Sequence, residues 1–281
     1  VERFRDRIIF PINNISGQPI GLGGRTIQQN NYLAKYINSP ETLFFKKGSN
    51  LYNLDCARKL SNKIDHVYLV EGYMDVIGLS KNGIENAVAN LGTSLTDKQI
   101  LILNQFFNDI IICFDGDESG YKAALRAAEK LFPLMKSDFN IYFLTLPENL
   151  DPDAYINQKG KDAFLKLTTN KLEIQNFIWD SYYKDVNTND PHSLAIFEKK
   201  IKSLCSNIND KTLAKYFFAN FQRKINELTP FINFKKNNFL KFKKIANPLQ
   251  KTKDIYNQRN KFTEKELKEF SILFLVINNL D

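Results

Sequence analysis

Three short apolar runs, Val67-Tyr68-Leu69-Val70, Ile110-Ile111-Ile112-Cys113-Phe114 and Ile141-Tyr142-Phe143-Leu144-Thr145-Leu146, each give way to carboxylates. Glu71 follows the first, Asp115 and Asp117 follow the second, and Asp151 and Asp153 come shortly after the third. Runs of this length, rich in β-branched and aromatic residues and separated by helix-length segments, predict parallel strands buried on both faces. Open parallel sheets bind ligands outside the carboxyl ends of their strands, so the three acidic clusters are expected in one crevice. Neighbouring strands lie only about 4.8 Å apart, close enough for carboxylates on adjacent strand ends to share divalent ions.

A lone carboxylate at a strand end is ordinarily a solvated loop residue. Five of them at equivalent strand ends point to a metal-dependent site. Asp115-Gly116-Asp117 projects both carboxylates from a tight turn, and Asp151-Pro152-Asp153 repeats the device with a proline suited to start a helix. Like charges in one cleft raise each other's pKa values unless a cation joins them. Oxygen-only ligation selects a hard ion, Mg²⁺ or Mn²⁺. Cys56, Cys113, Cys205, His66 and His192 are too scattered to form a zinc site. Asp115-x-Asp117-x-Ser119-Gly120 imitates the start of a calcium loop, but Arg126 stands where the bidentate Glu belongs. A dehalogenase-type phosphatase also opens on an acidic pair after a strand; neither rival accounts for Glu71 or the third cluster.

At 281 residues the chain exceeds one typical domain and predicts two or three units. Its net charge of +8 favours an anionic partner, nucleic acid first, because the positive charge is locally concentrated. Scattered cysteines and the lack of an apolar leader point to the reducing cytoplasm. The longest apolar stretch, Ser271-Ile272-Leu273-Phe274-Leu275-Val276-Ile277, falls well short of the roughly 20 residues that cross a bilayer. It reads as a core or partner-facing helix, and no membrane partner is expected.

The order of elements follows from periodicity and punctuation. Residues 3–27 predict a β-hairpin turning at Asn13-Asn14-Ile15-Ser16-Gly17, with Gly23-Gly24 permitting close backbone approach, and a coil follows to a boundary near Ile64. Strand and helix alternate over 65–166, with Thr96 capping the helix that begins at Asp97. Segments over 167–230 have helical spacing and suggest a bundle of about three helices. The stretch 231–262 carries nine basic residues, Lys235 to Lys261, against Asp254 alone, which suits a connector or a nucleic-acid-binding arm. Thr263-x-x-Glu266 is a capping box opening the last helix, within 263–281.

Together, Glu71-Gly72-Tyr73-Met74-Asp75-Val76, Leu91-Gly92-Thr93-Ser94-Leu95-Thr96, Phe114-Asp115-Gly116-Asp117 and Asp151-Pro152-Asp153 resemble the Toprim domain of bacterial replicative DNA primases. Upstream, Arg3-Phe4-Arg5-Asp6-Arg7-Ile8-Ile9-Phe10-Pro11-Ile12, Gly21-Leu22-Gly23-Gly24-Arg25, Lys35-Tyr36-Ile37-Asn38-Ser39-Pro40-Glu41-Thr42 and Lys46-Lys47-Gly48 are similar to the basic subdomain that precedes Toprim in that family. The resemblance is specific over 1 to about 160 and compositional beyond. It implies an α/β fold: a Toprim-type, mostly parallel sheet flanked by helices over 65–166, part of a basic β-containing subdomain over 1–64, and a helical bundle behind. It implies template-directed synthesis of short RNA primers on single-stranded DNA from ribonucleoside triphosphates, with an RNA–DNA duplex as product. Glu71, Asp115, Asp117, Asp151 and Asp153 would form the metal site with Asp75 in support, and Arg25, Lys35 and Lys47 would contact nucleotide phosphates or nucleic acid. Glu71 would serve as ligand or as the base that takes the hydroxyl proton.

Two departures matter. Asn149-Leu150 stands where the family commonly has Gly-Lys, removing a positive charge, although Asn tolerates the left-handed turn. The family's zinc-binding module and first part of its basic subdomain have no counterpart here, and only the start of the helicase-binding domain follows, so the chain reads as the central portion of a primase with weak, poorly selective priming. Partnership with the replicative helicase would run through that missing domain. A non-catalytic Toprim accessory module and a Toprim nuclease or topoisomerase are the alternatives. About 120 residues after Gly160 leave little room for strand-passage arches and a separate tyrosine-bearing domain.

Overall fold

A computed structural model of the chain describes residues 2–28, 34–147, 149–228 and 263–278. It divides into one unit spanning Val1–Thr229 and a second spanning Pro230–Asp281. In the second, the helix Glu264–Ile277 is described, and Thr263 caps it by accepting the Glu266 N–H as the sequence predicts. The basic stretch expected over 231–262 lies outside the described residues. Among the described residues no helix is long and apolar enough to cross a membrane.

The first unit opens with an antiparallel sheet of β1 (Arg7–Asn13), β2 (Pro19–Thr26) and β3 (Tyr36–Asn38), in that order. The hairpin is as expected, with Phe10 opposite Gly23 and Ile9 opposite Gly24. The coil expected after it is interrupted by β3, which pairs Tyr36 with Arg25 and Asn38 with Gly23. Two glycines in β2 make room for their neighbours: a Cβ on Gly23 would strike the Tyr73 ring, and one on Gly24 would strike Phe4. A short helix α1 (Leu54–Ala57) leads to the second sheet.

That sheet has the order β5-β4-β6-β7-β8, from β4 (His66–Val70), β5 (Ala87–Ala89), β6 (Asp109–Phe114), β7 (Asn140–Thr145) and β8 (Leu172–Glu173). The first four strands are parallel and β8 is antiparallel. This edge strand adds two residues to the sheet from beyond the expected 166 limit. Alternate residues of each central strand enter opposite cores. Val67, Leu69, Ile110, Ile112 and Phe143 face α3 (Asp97–Leu103), α4 (Glu118–Leu131) and the helices α7 (Ile174–Tyr183), α8 (Pro191–Ser206) and α9 (Lys211–Leu228). Tyr68, Val70, Ile111, Cys113 and Leu144 face α2 (Tyr73–Lys81), α5 (Pro152–Lys159) and α6 (Lys161–Thr168). Burial on both faces is what the unbroken apolar runs predict. Stacking of Phe143 on Phe177, 4.3 Å between ring centroids, seats the bundle on the sheet.

Strand order puts the functional edge in place. The chain leaves β4 toward β5 on one side and later returns to β6 on the other, so the crevice at the carboxyl ends of β4 and β6 is the topological switch point. Glu71 and Asp115 directly follow those two strands. The antiparallel sheet is brought to the same edge by Tyr73, whose ring stacks on Phe10 at 5.2 Å and whose hydroxyl donates to Asn38.

Candidate active site

A cleft of about 310 Å³ opens at this edge, and Glu71, Asp75, Asp115 and Asp151 line it together with Lys35, Tyr36 and Asn38. At least one acid from each of the three motifs therefore meets the Lys35 segment here, whereas Asp117, Asp153 and Arg25 are not part of the lining. The motifs are fastened by backbone rather than by the acids themselves. The Gly116 N–H donates to the Leu150 carbonyl at 3.0 Å, and a Cβ on Gly116 would collide with the Leu146 carbonyl, so the second and third acidic loops are locked side by side. Asn149, which stands where the family has Gly, takes φ 55°, the left-handed turn that keeps this loop in shape.

Each carboxylate then has its own fate. Glu71 remains at the mouth, where its Oε1 accepts the Asp115 N–H at 3.4 Å. Surrounding protein shields it enough to raise its pKa, with the Asp115 N–H opposing and Asp117 adding to the rise. Desolvation pushes Asp115 up to about 6, helped by the charges of Glu71, Asp151 and Asp117. Asp75 is buried, and desolvation, aided by Asp115 and Asp151, pushes it up to about 7 although the Gly72 and Asp153 backbone N–H groups stabilise its anion. Its hydrogen bond from Gly72, 3.0 Å, holds the start of α2 against the motif.

The remaining acids are engaged in local structure. Asp117 caps α4 by accepting the Gly120 N–H at 2.6 Å, and Asp151 caps α5 by accepting the Ala154 N–H at 2.6 Å. Asp153 accepts from the Asn157 side chain at 2.7 Å and packs where a Cβ on Gly78 would sit, outside the cleft lining. No three acidic, His or Cys side chains among the described residues are already gathered around one point suited to a metal ion. The donor chemistry still fits a hard divalent cation. Four carboxylates line one cleft, two of them pushed up to about 6 and about 7 by burial and by neighbouring carboxylates, and a cation relieves that repulsion.

Of the predicted basic residues, Arg25 and Lys35 flank Tyr36, at 5.8 and 5.7 Å from its ring centroid. Lys47 lies apart from the cleft, on a 3-10 turn (Lys47–Ser49) whose backbone is tied to α3 by Gln99. Of the aromatic neighbours, Phe45 is core and Phe44 is exposed. Sequence reasoning did not single out three further residues of the cleft lining, Asn38, Tyr73 and Asn90. The first two sit within motifs quoted for other residues, and Asn90 reaches the cleft only through the pairing of β5 with β4.

An α/β domain with acidic strand ends at its switch point, fronted by an antiparallel sheet bearing cations, defines a class, and known proteins share it. A family model described as the Toprim domain matches residues 65–145, and one described as the DNA primase catalytic core, N-terminal domain, matches residues 1–58. The DNA primase of Rickettsia felis is 39% identical over 222 residues, covering 79% of this chain and 37% of that protein. The Escherichia coli primase catalytic core superposes with a TM-score of 0.73 at 36% identity, over 80% of this chain and 70% of that one. The DnaG primase catalytic domain bound to ssDNA gives 0.74 at 35% identity, over 81% and 70%. The chain belongs to the DnaG-type bacterial DNA primase family. It spans about 37% of the length of the curated relatives it matches.

Proposed function

We propose that this chain is a primase core that joins ribonucleotides on a single-stranded DNA template in a metal-dependent nucleotidyl transfer. The observation that carries the reading is the convergence of Glu71, Asp75, Asp115 and Asp151 on one cleft that Lys35 and Tyr36 also line. Acids for a cation and a base for phosphate are both needed where a nucleoside triphosphate reacts, and a relative of this fold has been captured on ssDNA. Glu71, Asp115, Asp117 and Asp151 would hold Mg²⁺ or Mn²⁺, with Asp153 joining them only by leaving Asn157. When bound, the ion supplies Lewis-acid stabilisation of the phosphate oxygens at which charge develops.

The protein's own groups do the rest. Lys35 reaches the triphosphate, and Arg25, 5.8 Å from the Tyr36 ring centroid, offers a bidentate guanidinium to a template or primer phosphate. Lys47 serves nucleic acid entering from beyond the cleft. Glu71, at the mouth with its pKa raised, accepts the proton of the attacking hydroxyl or ligates the ion. Asp75, capping Gly72 from within the protein, is a positioning residue for Glu71. Labelled ribonucleotides, single-stranded DNA and Mg²⁺ or Mn²⁺ test the reading directly: the native chain should make short RNA, and Asp115→Asn should reduce its rate at least about 100-fold. Equal, metal-independent signals from both proteins would remove the catalytic assignment.

A further inference from the structure

A second cavity, about 560 Å³, adjoins the acidic cleft and shares Glu71, Asn90 and Gly92 with it. The two differ in charge. The acidic cleft adds Asp75, Asp115 and Asp151, whereas the second adds no carboxylate and instead receives Arg126 and Lys130 from α4. Thr93 and Ser94 line it together with the apolar Leu95 and Phe114. Lys130 is already engaged with the Leu95 carbonyl at 2.8 Å and lies 3.7 Å from Asp97. Among the described residues the Arg126 guanidinium has no hydrogen-bond or ion-pair partner, so it stands ready for an anion.

Asn90 supplies the second observation. It follows β5, beside Glu71 at the end of β4, because Ala89 pairs with Val70. It is only 8% exposed, and its Oδ1 is buried with no hydrogen-bond partner. Asn90 lines both cavities, and a buried acceptor without a partner is satisfied when a ligand donor reaches it. Phosphate oxygens are acceptors and cannot answer it. A ribose hydroxyl can.

Resting on the primase reading, we infer that the second cavity takes the nucleoside triphosphate that starts a primer: its phosphates meet Arg126, its ribose 2′-hydroxyl donates to Asn90, and its 3′-hydroxyl faces the acidic cleft across Glu71. A chain begun without a primer needs two nucleotides side by side, and the two cavities provide for them. The 3′-oxygen of the nucleotide in the second cavity forms a bond to the α-phosphorus of the one in the acidic cleft. The bond from that phosphorus to pyrophosphate breaks, pyrophosphate leaves, and the hydroxyl proton departs by way of Glu71. No electron donor or acceptor is required. The volume falls within the roughly 300–1,000 Å³ of ordinary ligand sites.

The test compares two reactions of the full chain on single-stranded DNA: formation of the first dinucleotide from free ribonucleotides, and one-step extension of a pre-annealed RNA primer. In Arg126→Ala, the KM of the starting nucleotide should rise about ten-fold or more, a charged hydrogen bond's worth, and clearly more than the KM for extension. Arg126→Lys should restore part of the loss. In Asn90→Ala, the preference for ATP over 2′-deoxy-ATP as starting nucleotide should shrink about ten-fold. Parallel losses in both reactions, or an unchanged starting KM, would overturn the inference while leaving a working primase. A native chain inactive in both reactions would bring down the primase reading, and this one with it.

Discussion

Asp75 shows how the acidic cleft loads the protein before any ligand arrives. Its pKa rises from 3.8 to about 7, chiefly through desolvation, so the folded state holds a proton that the unfolded chain would release. The stability this proton represents is fully present below about 3.8 and is lost as pH climbs through about 7. In metal-free buffer, melting temperature should therefore fall across that window, and Asp75→Asn, whose amide oxygen keeps the Gly72 contact, should flatten the fall. Melts of the two proteins that stay parallel from pH 4 to about 8 would show that the group is not responsible. The identities of the acids were legible in the sequence because each follows an apolar run of strand length. Their directions were not: Asp117 and Asp151 both cap helices, yet Asp151 lines the cleft and Asp117 does not, and the Asn157 contact claims Asp153.

At the level of elements, central strands and their helices were readable because burial on both faces leaves continuous apolar runs, and Thr96, Asp117 and Asp151 mark helix starts by capping chemistry. β3 and β8 escaped notice since three- and two-residue edge strands carry no periodicity; pairing with β2 and β7 alone makes them strands. The link between the Lys47 turn and the α/β sheet is equally tertiary. Gln99 on α3 is fully buried, donates to the Lys47 and Asn50 carbonyls at 3.1 and 2.9 Å, and accepts the Thr96 N–H at 3.0 Å. Thr96 adds a hydroxyl bond to the Gly48 carbonyl at 2.6 Å. Replacing Gln99 by Leu preserves bulk but strands these backbone groups, at roughly 3 kcal/mol in all. Urea denaturation should record that loss with an unchanged slope; a shift below about 0.5 kcal/mol would mean water satisfies the turn instead.

For the whole molecule, the net charge of +8 coexists with an acidic cleft, so the cationic surface cannot be spread evenly. Within the first unit, Lys35 lines the acidic cleft and Arg25 lies by the same Tyr36 ring, while Lys46, Lys98 and Lys130 outnumber Glu41 and Asp97 around a separate hollow beside the Lys47 turn. A strand of nucleic acid bound along such a surface is held by phosphate neutralisation, and its affinity must fall as salt rises. For single strands each neutralised phosphate contributes about 0.7 to the slope of log affinity against log salt. Removing one genuine contact therefore changes the slope as well as the affinity. Arg25→Ala should weaken binding of an unstructured DNA oligonucleotide and reduce the slope by about 0.7, measured by anisotropy across a salt series. A weaker complex with an undiminished slope would mean that Arg25 acts by supporting Tyr36 and not by meeting a phosphate, and would move the backbone track toward the lysines around the Lys47 turn.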